Sequence, residues 1–358
     1  MDKNSIKKRD NFQAVKALKI KRTMFLSNIK ILSPIDASSE AEKLIEAGAD
    51  EFYCGLFPEE WKNKYFPASI DRRPTGSHLK SFEELKELIN ISHEKSVPVY
   101  LTLNEHYYTE KQYPLITEFI GNAISINVDA LIIADLALLL FLRKNNFKVK
   151  IHISTGGTVF NSEAAGFYKD LGADRIILPR HLTVEEIGKL REHSPDIELE
   201  AFILNSRCVN VDGMCTFQHG LSGPSNKWLF RNACMLPYEI SILPNENSFL
   251  EIEDFLKREI ALKRQHIWGN VHIDDSPCGA CSLFDFAKMG LTGVKIVGRG
   301  NLLEKKLKDV VFLKSAKMML RNGETEKSEF RKRVKELYEE TYKRQCRYHM
   351  CYYPEGLF

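Results

Sequence analysis

The sequence predicts a (β/α)8 barrel, in which eight parallel strands alternate with helices around a closed sheet. Eight short runs rich in Val, Ile and Leu are apolar on both faces, and segments with helical periodicity lie between them. The 358 residues are enough for one barrel with additions at both ends. With 44% hydrophobic and 28% charged residues, the composition excludes disordered, collagen-like and coiled-coil proteins. A doubly wound open sheet is the main competing fold.

The predicted strands and helices follow one another in order along the chain. The strand runs are 30–34, 51–55, 98–103, 129–135, 150–155, 174–179, 199–204 and 293–297. The helix candidates lie near 38–47, 82–94, 112–126, 136–144, 162–171, 183–192 and 281–289. Several of them end at Gly, which helix C-termini favour. A final pair of amphipathic helices is expected after residue 299, packed on the barrel.

The domain organisation follows from where this alternation begins and stops. Residues 1–28 form a basic arm with eight Lys or Arg and two Asp, 29–300 form the barrel, and 301–358 form a helical extension. For the arm and the charged helices, solvation is favoured over binding to nucleic acid. The N-terminus lacks the apolar core of a signal peptide, and no apolar run is long enough to cross a membrane. The expectation is a cytoplasmic protein without a membrane span.

Five of the eight cysteines cluster in the long loop 205–281, which follows the seventh strand run. They are Cys208, Cys215, Cys234, Cys278 and Cys281. Loops at the C-terminal ends of barrel strands usually carry the chemistry. Structural zinc sites use closely spaced pairs of cysteines, and within this loop only the last pair has such a spacing. Thiols spread over a long loop fit an iron–sulfur cluster better, with ordinary buried thiols as the alternative.

The cysteines also stand within recognisable motifs. Residues 200–215 read E-A-F-I-L-N-S-R-C-V-N-V-D-G-M-C, residues 234–238 read C-M-L-P-Y, and residues 295–299 read K-I-V-G-R. Upstream matches lie at 32–34, 48–55, 101–104 and 175–180. In this order they resemble motifs of peptidase family U32, the collagenase-like proteases, whose first signature is E-x-F-x-x-G-[SA]-aliphatic-C-x4-G-x-C. Asn205 replaces the Gly of that signature, and Arg207 replaces its aliphatic residue.

The resemblance implies a barrel that holds a [4Fe-4S] cluster on four cysteines. By position, Cys208, Cys215 and Cys234 match the first three ligands, and an ungapped alignment matches Cys278 to the fourth. Cys281 is an alternative fourth ligand, a resolving thiol or a packed side chain. Some members of the family are described as peptidases. Others are oxygen-independent hydroxylases of a tRNA uridine, a ribosomal RNA cytidine or a ubiquinone-precursor ring, which implies a small-molecule or RNA-base substrate.

Several polar positions differ from the family pattern at the expected mouth of the barrel, which is the end formed by the C-termini of the strands. His181 replaces a Glu after the sixth strand, Gly156 replaces a Gln after the fifth, and Val297 replaces the Glu of K-I-E-G-R. Leu204 and Asn205 replace a His-Gly pair. Since these changes remove two carboxylates and an amide, we expect the cluster to be retained more readily than the relatives' substrate or reaction.

Four residues near this mouth are the candidate catalytic residues, namely Arg180, His181, Lys295 and Arg299. The two arginines and the lysine lie in or just after apolar strands, where barrel enzymes place substrate-binding groups. A guanidinium can grip a carboxylate or phosphate with two hydrogen bonds. These residues therefore predict an anionic substrate, with surface charge as the alternative.

Other His and Cys residues, whose side chains can react or bind metals, are expected to be structural. His152 lies inside a strand run and is interpreted as a core histidine. Cys54 ends the second run and is interpreted as a buried cysteine, with a reactive thiol as the alternative. Cys346 and Cys351 in the tail would add ligands only if the tail folds back over the mouth.

Three functional hypotheses follow. The first is an iron–sulfur enzyme of hydroxylase or related redox type. The second is a peptidase, although the chain contains neither a G-x-S-x-G elbow nor an H-E-x-x-H zinc helix. The third is a non-catalytic, cluster-bearing subunit that works with a heteromeric partner of the same family.

Overall fold

The computed structural model describes residues 29–65, 70–73, 76–206, 208, 210–215, 277–321, 326–347 and 350–354. The expected basic arm 1–28 and Cys234 lie outside these residues, as does most of the loop 205–281.

Eight parallel strands close into one barrel, which confirms the predicted fold and excludes the open sheet. The strands are β1 Lys30–Pro34, β2 Glu51–Cys54, β3 Val99–Leu103, β4 Ala130–Ile133, β5 Lys150–Ile153, β6 Arg175–Ile177, β7 Glu198–Leu204 and β8 Gly293–Ile296. Each strand pairs with the next along the chain, and β8 closes on β1 with Ile31 opposite Val294. Seven predicted strand runs contain one of these strands, and the run 199–204 covers all of β7 except its first residue, Glu198.

Helices cover the outside of the barrel. Within the described residues they are α1 Ala41–Ala47, α2 Glu59–Lys64, α3 Phe82–Glu94, α4 Tyr113–Ser125, α5 Leu136–Lys144, α6 Ser162–Asp170, α7 Val184–His193, α8 Leu283–Met289, α9 Leu303–Arg321 and α10 Lys327–Tyr342. The sequence did not predict α2, because its six residues are too few to show a helical period. Trp61 anchors this short helix in the core.

Local sequence signals explain where several helices begin. Ser81 caps α3 by accepting a hydrogen bond from the Glu84 amide. Thr183 and Glu186 form a capping box at the start of α7, in which each side chain binds the other residue's backbone N–H. These caps fix the direction in which each helix leaves the preceding loop.

The two last helices are integrated with the barrel. α9 packs against α1 and β1, and α10 packs against α9 and against the 3-10 turn Ala280–Ser282. α9 also contributes Lys306, whose side chain is 1% exposed and whose ammonium donates to Asp36 at 2.6 Å and to Glu40 at 2.7 Å. This ion triad, in which Lys306 is buried and the two carboxylates are partly buried, joins α9 to the segment that follows β1. Among the described residues, no helix is both long and apolar enough to span a membrane.

Replacing Lys306 should therefore weaken the whole fold. The Lys306→Met variant leaves the partly buried Asp36 and Glu40 carboxylates side by side without a cation, so the free energy of unfolding should fall by about 2 kcal/mol. Urea denaturation measures this loss. Lys189→Met is the matched control, because Lys189 is an exposed lysine of α7 paired with Glu185 and its loss should leave stability unchanged. Equal stability of the two variants would contradict the role assigned to the triad.

Candidate functional site

Charged side chains line the inside of the barrel. Arg175 on β6 makes a bidentate ion pair with Glu51 on β2, with distances of 2.6 and 3.0 Å. The same guanidinium contacts Glu200 on β7 at 3.0 Å, and the second oxygen of Glu200 accepts from Lys295 on β8 at 3.3 Å. All four residues are buried. Each charge is therefore compensated by its neighbour along a ladder that runs from the N-terminal end of the barrel towards its mouth.

Lys295 is the upper end of this ladder and the residue most suited to proton transfer. Its ammonium lies 3.9 Å from the centre of the Tyr53 ring. Burial lowers the pKa of Lys295 to about 8, although the Glu200 carboxylate works in the opposite direction. The Tyr53 hydroxyl donates to the Ile296 carbonyl at 2.9 Å, and burial raises the pKa of Tyr53 to about 12. Lys295 can thus exchange a proton near neutral pH, whereas Tyr53 stays protonated.

Arg299 lies at the mouth and is held by buried partners. It donates to the Asp71 carboxylate at 2.5 Å and to the Thr102 hydroxyl at 2.7 Å. His78 contacts the other oxygen of Asp71 at 2.8 Å. Burial alone would lower the pKa of Arg299, but Asp71, Tyr53 and Asp36 together raise that pKa. The terminal nitrogens of Arg299 therefore hold the segment that carries Asp71 at the mouth of the barrel. The buried Nε of Arg299 has no hydrogen-bond partner among the described residues.

The sequence did not identify Asp71 and His78 as site residues. Both lie between β2 and α3, in a segment without a recognisable motif. Asp71 contacts Arg299, which is 228 residues away in the chain, and His78 contacts Asp71. Gly55, just after β2, makes this contact possible, because a Cβ atom there would overlap Arg299 and Asp71.

Arg180 and His181 hold the segment that carries the first two loop cysteines. The Arg180 guanidinium lies 2.6 Å from the Asp212 carboxylate, and the Arg180 amide donates to the same carboxylate at 2.8 Å. The Asp212 amide in turn donates to His181 Nδ1 at 3.4 Å. Because Asp212 lies between Cys208 and Cys215, the predicted Arg-His pair anchors the cysteine segment at the mouth.

A glycine within the same segment brings it onto the end of β5. Gly213 has a φ of +85°, a conformation that residues with side chains rarely adopt. A Cβ atom there would overlap Thr158 and lie 2.8 Å from the Thr155 carbonyl. The glycine of the C-x4-G-x-C pattern thus permits a close backbone approach as well as a turn.

Cys208 and Cys215 lie close enough for the charge of Cys215 to affect the pKa of Cys208. Burial raises the pKa of Cys208, Asp212 and Cys215 raise it further, and Arg180 lowers it. Both thiols are partly exposed. Within the described ranges, no three His, Cys, Asp or Glu side chains already stand in a metal-binding arrangement. The two thiols are therefore a pair of soft donors beside the Arg180 guanidinium. A metal site at this place would need further ligands in addition to these two thiols.

Arg73 is a further cation at the mouth that the sequence did not single out. Its pKa is lowered to about 10 by burial and by the nearby positive charges of Arg299, Arg180 and Arg72, while Tyr53 partly offsets this effect. The crowding of these cations would be relieved by an anion. Together, the mouth residues favour a negatively charged ligand.

His152 and Cys54 are buried side chains, as expected from the sequence. His152 is buried with its ring edge against Tyr100, at a centroid distance of 4.5 Å. Burial, reinforced by Arg175, lowers the pKa of His152 well below its usual value, so the ring is neutral. Cys54 is fully buried, and burial raises its pKa to about 12. Neither side chain is poised to react.

The C-terminal tail reaches the mouth as well. Tyr352 donates to the Ser206 carbonyl at 2.8 Å and hydrogen-bonds to Arg180. The Tyr353 hydroxyl donates to the Phe202 carbonyl at 2.7 Å, and its ring packs on Phe286. The tail thus packs against the C-terminal end of β7.

Comparison with known proteins gives this arrangement a context. The family model for peptidase family U32 matches residues 37–356. A protein named as an uncharacterized protease, from Methanocaldococcus jannaschii, is 32% identical over 199 residues, which cover 54% of this chain and 45% of the relative. tRNA hydroxylation protein P of Haemophilus influenzae is 28% identical over 218 residues, which cover 59% of this chain and 43% of the relative.

A third relative is the 23S rRNA 5-hydroxycytidine synthase of Escherichia coli. It is 26% identical over 238 residues, which cover 65% of this chain and 34% of the relative. The chain spans less than half the length of each of these three relatives.

Gly55 gives a test of how tightly the Arg299–Asp71 contact is packed. In Gly55→Ala, the added methyl group should displace that buried pair and lower the free energy of unfolding by about 2 kcal/mol. Gly121→Ala is the control, because a Cβ at that α4 position meets no atom within 4 Å. This second change should be neutral or stabilise by up to about 1 kcal/mol. Similar denaturation midpoints for the two variants would refute the close approach.

The proton affinity of Lys295 can be measured directly. In protein labelled at lysine Cε, one NMR signal that is absent from Lys295→Arg should titrate with a midpoint near pH 8. Because the folded pKa lies below the ordinary value of 10.5, the unfolded chain binds more protons between these two values. The contribution of Lys295 to stability should accordingly increase as the pH rises through this window. A midpoint at or above 10 would contradict the assigned burial.

Proposed function

The chain belongs to peptidase family U32, and from this premise we propose that it is an iron–sulfur redox enzyme that hydroxylates a ring, with an RNA base as the substrate class. The observation that carries the proposal is the cationic mouth, where Arg73 interacts with Arg299 and Arg180, and Arg299 interacts with Lys295. Arg180 in turn acts on Cys208 of the cysteine segment. The names of two relatives, a tRNA hydroxylation protein and an rRNA hydroxycytidine synthase, support the choice of reaction and substrate.

The thiols of the loop fit an iron–sulfur cluster in chemical type and in charge. Cys208 and Cys215 are neighbouring soft donors, and Arg180 beside them offsets the negative charge that thiolate ligands bring. Cys234 is the third proposed ligand and lies outside the described residues. The alignment proposes Cys278 as the fourth, with Cys281 as the alternative. When bound, the cluster supplies one-electron redox chemistry that no side chain offers.

The neighbours of Cys278 differ from those of Cys208. The side chains whose charges shift the pKa of the Cys278 thiol are Cys281, Cys351 and Cys346. Those that shift the pKa of the Cys208 thiol are Asp212, Arg180 and Cys215. This placement favours a mouth cluster on the three loop cysteines. One iron would then keep a coordination position for a ligand other than protein, as catalytic metal sites commonly do.

The chain's own side chains provide substrate binding and proton transfer. The Arg73 guanidinium is placed to bind a phosphate of an RNA strand at the rim. Lys295, deeper in the barrel, can take a proton from the ring or return one to it because its pKa lies near neutrality. The Glu200 carboxylate, which is itself buried, holds the Lys295 ammonium in place.

Peptidase activity is the second candidate, since one relative carries a protease name. The described thiols argue against cysteine-protease chemistry. Burial raises the pKa of Cys54, Cys208, Cys278 and Cys281, and a thiol rather than a thiolate is a poor nucleophile. A non-catalytic subunit that pairs with a relative is the third candidate, favoured by the replaced carboxylates at 181 and 297.

The proposal is tested by linking the cluster to a product. Protein purified without oxygen should contain about four irons and four sulfides per chain, as a [4Fe-4S] cluster requires. Cys208→Ser should lose them, and Cys54→Ser, which changes a buried cysteine away from the loop, should keep them. In cells that lack the gene, mass spectrometry of RNA nucleosides should show the loss of a base carrying one additional oxygen atom, restored by the wild type but not by Cys208→Ser.

The other outcomes separate the candidates. A folded protein without iron would refute the cluster. A cluster with an unchanged nucleoside profile would refute the proposed hydroxylation, and restoration only when a relative is co-expressed would favour the partner subunit. Cleavage of a peptide library by the metal-free protein would instead support the peptidase.

A further inference from the structure

Asn205 turns the chain at the end of β7, where the cysteine segment begins. Its φ is +65° and that of the next residue, Ser206, is +49°, so two successive residues adopt the left-handed conformation. Residues with side chains rarely adopt this conformation, although Asn does so more readily than most others. Such a backbone persists only where the surrounding structure holds it in place. The contacts of Asn205 therefore decide whether this turn is kept.

The side chain of Asn205 reaches the mouth end of β8. It is buried, and its amide nitrogen donates to the Val297 carbonyl at 3.0 Å. Val297 stands midway between Lys295 and Arg299, two of the candidate catalytic residues. A glycine, which the family pattern has at position 205, could not make this bond. The side chain therefore ties the start of the cysteine segment to the strand that carries Lys295.

The same side chain also binds the C-terminal helices. Its nitrogen donates to the Asp309 carboxylate of α9 at 2.8 Å, and its oxygen accepts from the Lys305 ammonium at 2.9 Å. Asp309 is 1% exposed, and its second oxygen accepts from the Tyr342 hydroxyl of α10 at 2.7 Å. Asn205 is thus the point at which hydrogen bonds join the ends of β7 and β8 to α9 and, through Asp309, to α10.

The backbone of Asn205 is held as well. Its N–H donates to the Pro277 carbonyl at 2.9 Å, and its carbonyl accepts from the Tyr352 hydroxyl of the tail. Every polar group of Asn205 therefore has a partner, in the backbone and in the side chain. Since a buried polar group that loses its partner destabilises the fold, these contacts fix the conformation of the turn.

We propose that Asn205 is a positioning residue, which sets where the cysteine segment stands relative to Lys295 and makes this placement depend on the C-terminal helices. Cys208 follows Asn205 by three residues, and Lys295 precedes Val297 by two, so one side chain joins both groups by a short path. Any reaction that uses both groups needs a constant distance between them. The inference concerns this geometry alone and does not rest on the proposed function.

Thiol alkylation of the full-length chain tests this role. The described thiols are free, so each can be followed by iodoacetamide labelling of the metal-free protein and peptide mass spectrometry. Asn205→Gly suits the same backbone conformation but removes every side-chain bond. In this variant Cys208 should react about tenfold faster than in the wild type, because the segment opens more often. Cys54, which is buried in the barrel, should stay unreacted over the same period.

Two further variants complete the test. Asn127→Gly is the matched control, because Asn127 also has a φ of +65° but is exposed beyond the end of α4, so Cys208 should react as in the wild type. Tyr342→Phe removes only the hydroxyl that α10 donates to Asp309, and it should speed the reaction of Cys208 by about threefold. This second variant carries the test if Asn205→Gly does not fold. The NMR signal of Lys295 should move in Asn205→Gly and stay in place in Asn127→Gly.

The opposite results would overturn the positioning role. An unchanged Cys208 rate in both Asn205→Gly and Tyr342→Phe would show that these bonds do not hold the segment. Reaction of Cys54 together with Cys208 would assign the effect to a general loss of stability. An unmoved Lys295 signal in Asn205→Gly would show that the side chain does not link the segment to β8. Absence of iron from the purified protein would refute the proposed cluster and leave these expected rates unaltered.

Discussion

The charged ladder inside the barrel is the constraint on which the rest of the structure depends. Four strands contribute one side chain each, namely β2, β6, β7 and β8, and a buried charge is tolerated only where its partner is in contact. A shift of any of these strands by one residue would turn its charge to the outer, apolar face. The ladder therefore fixes the relative register of the strands whose ends form the mouth.

The same ladder determines what the mouth can do. It places Lys295 deep enough for burial to lower its pKa, but close enough to Glu200 to stay in position. Above it, Arg299 and Arg180 are occupied by Asp71 and Asp212 and so serve mainly to hold loops in place. The anion that the proposed function requires would therefore meet Arg73 rather than these two arginines.

The sequence predicted what depends on local pattern and missed what depends on distant contacts. Apolar runs identified all eight strands, and motifs after those runs placed Arg180, Lys295 and Arg299 at the mouth. The partners of these residues were not predictable, because the segment with Asp71 and His78 has no period or motif of its own. The lowered pKa of Lys295 likewise arises from burial, which no local sequence pattern reports.

The cysteines show the same limit most clearly. Read along the chain, Cys278 stands in line with the loop cysteines, and the tail pair is far away. In the fold, the tail completes a strand pairing with Cys278, so thiols from both ends of the C-terminal third become neighbours. The neighbours of Cys278 are thus set by backbone hydrogen bonds between the tail and the segment before α8, which no spacing of cysteines along the chain reports.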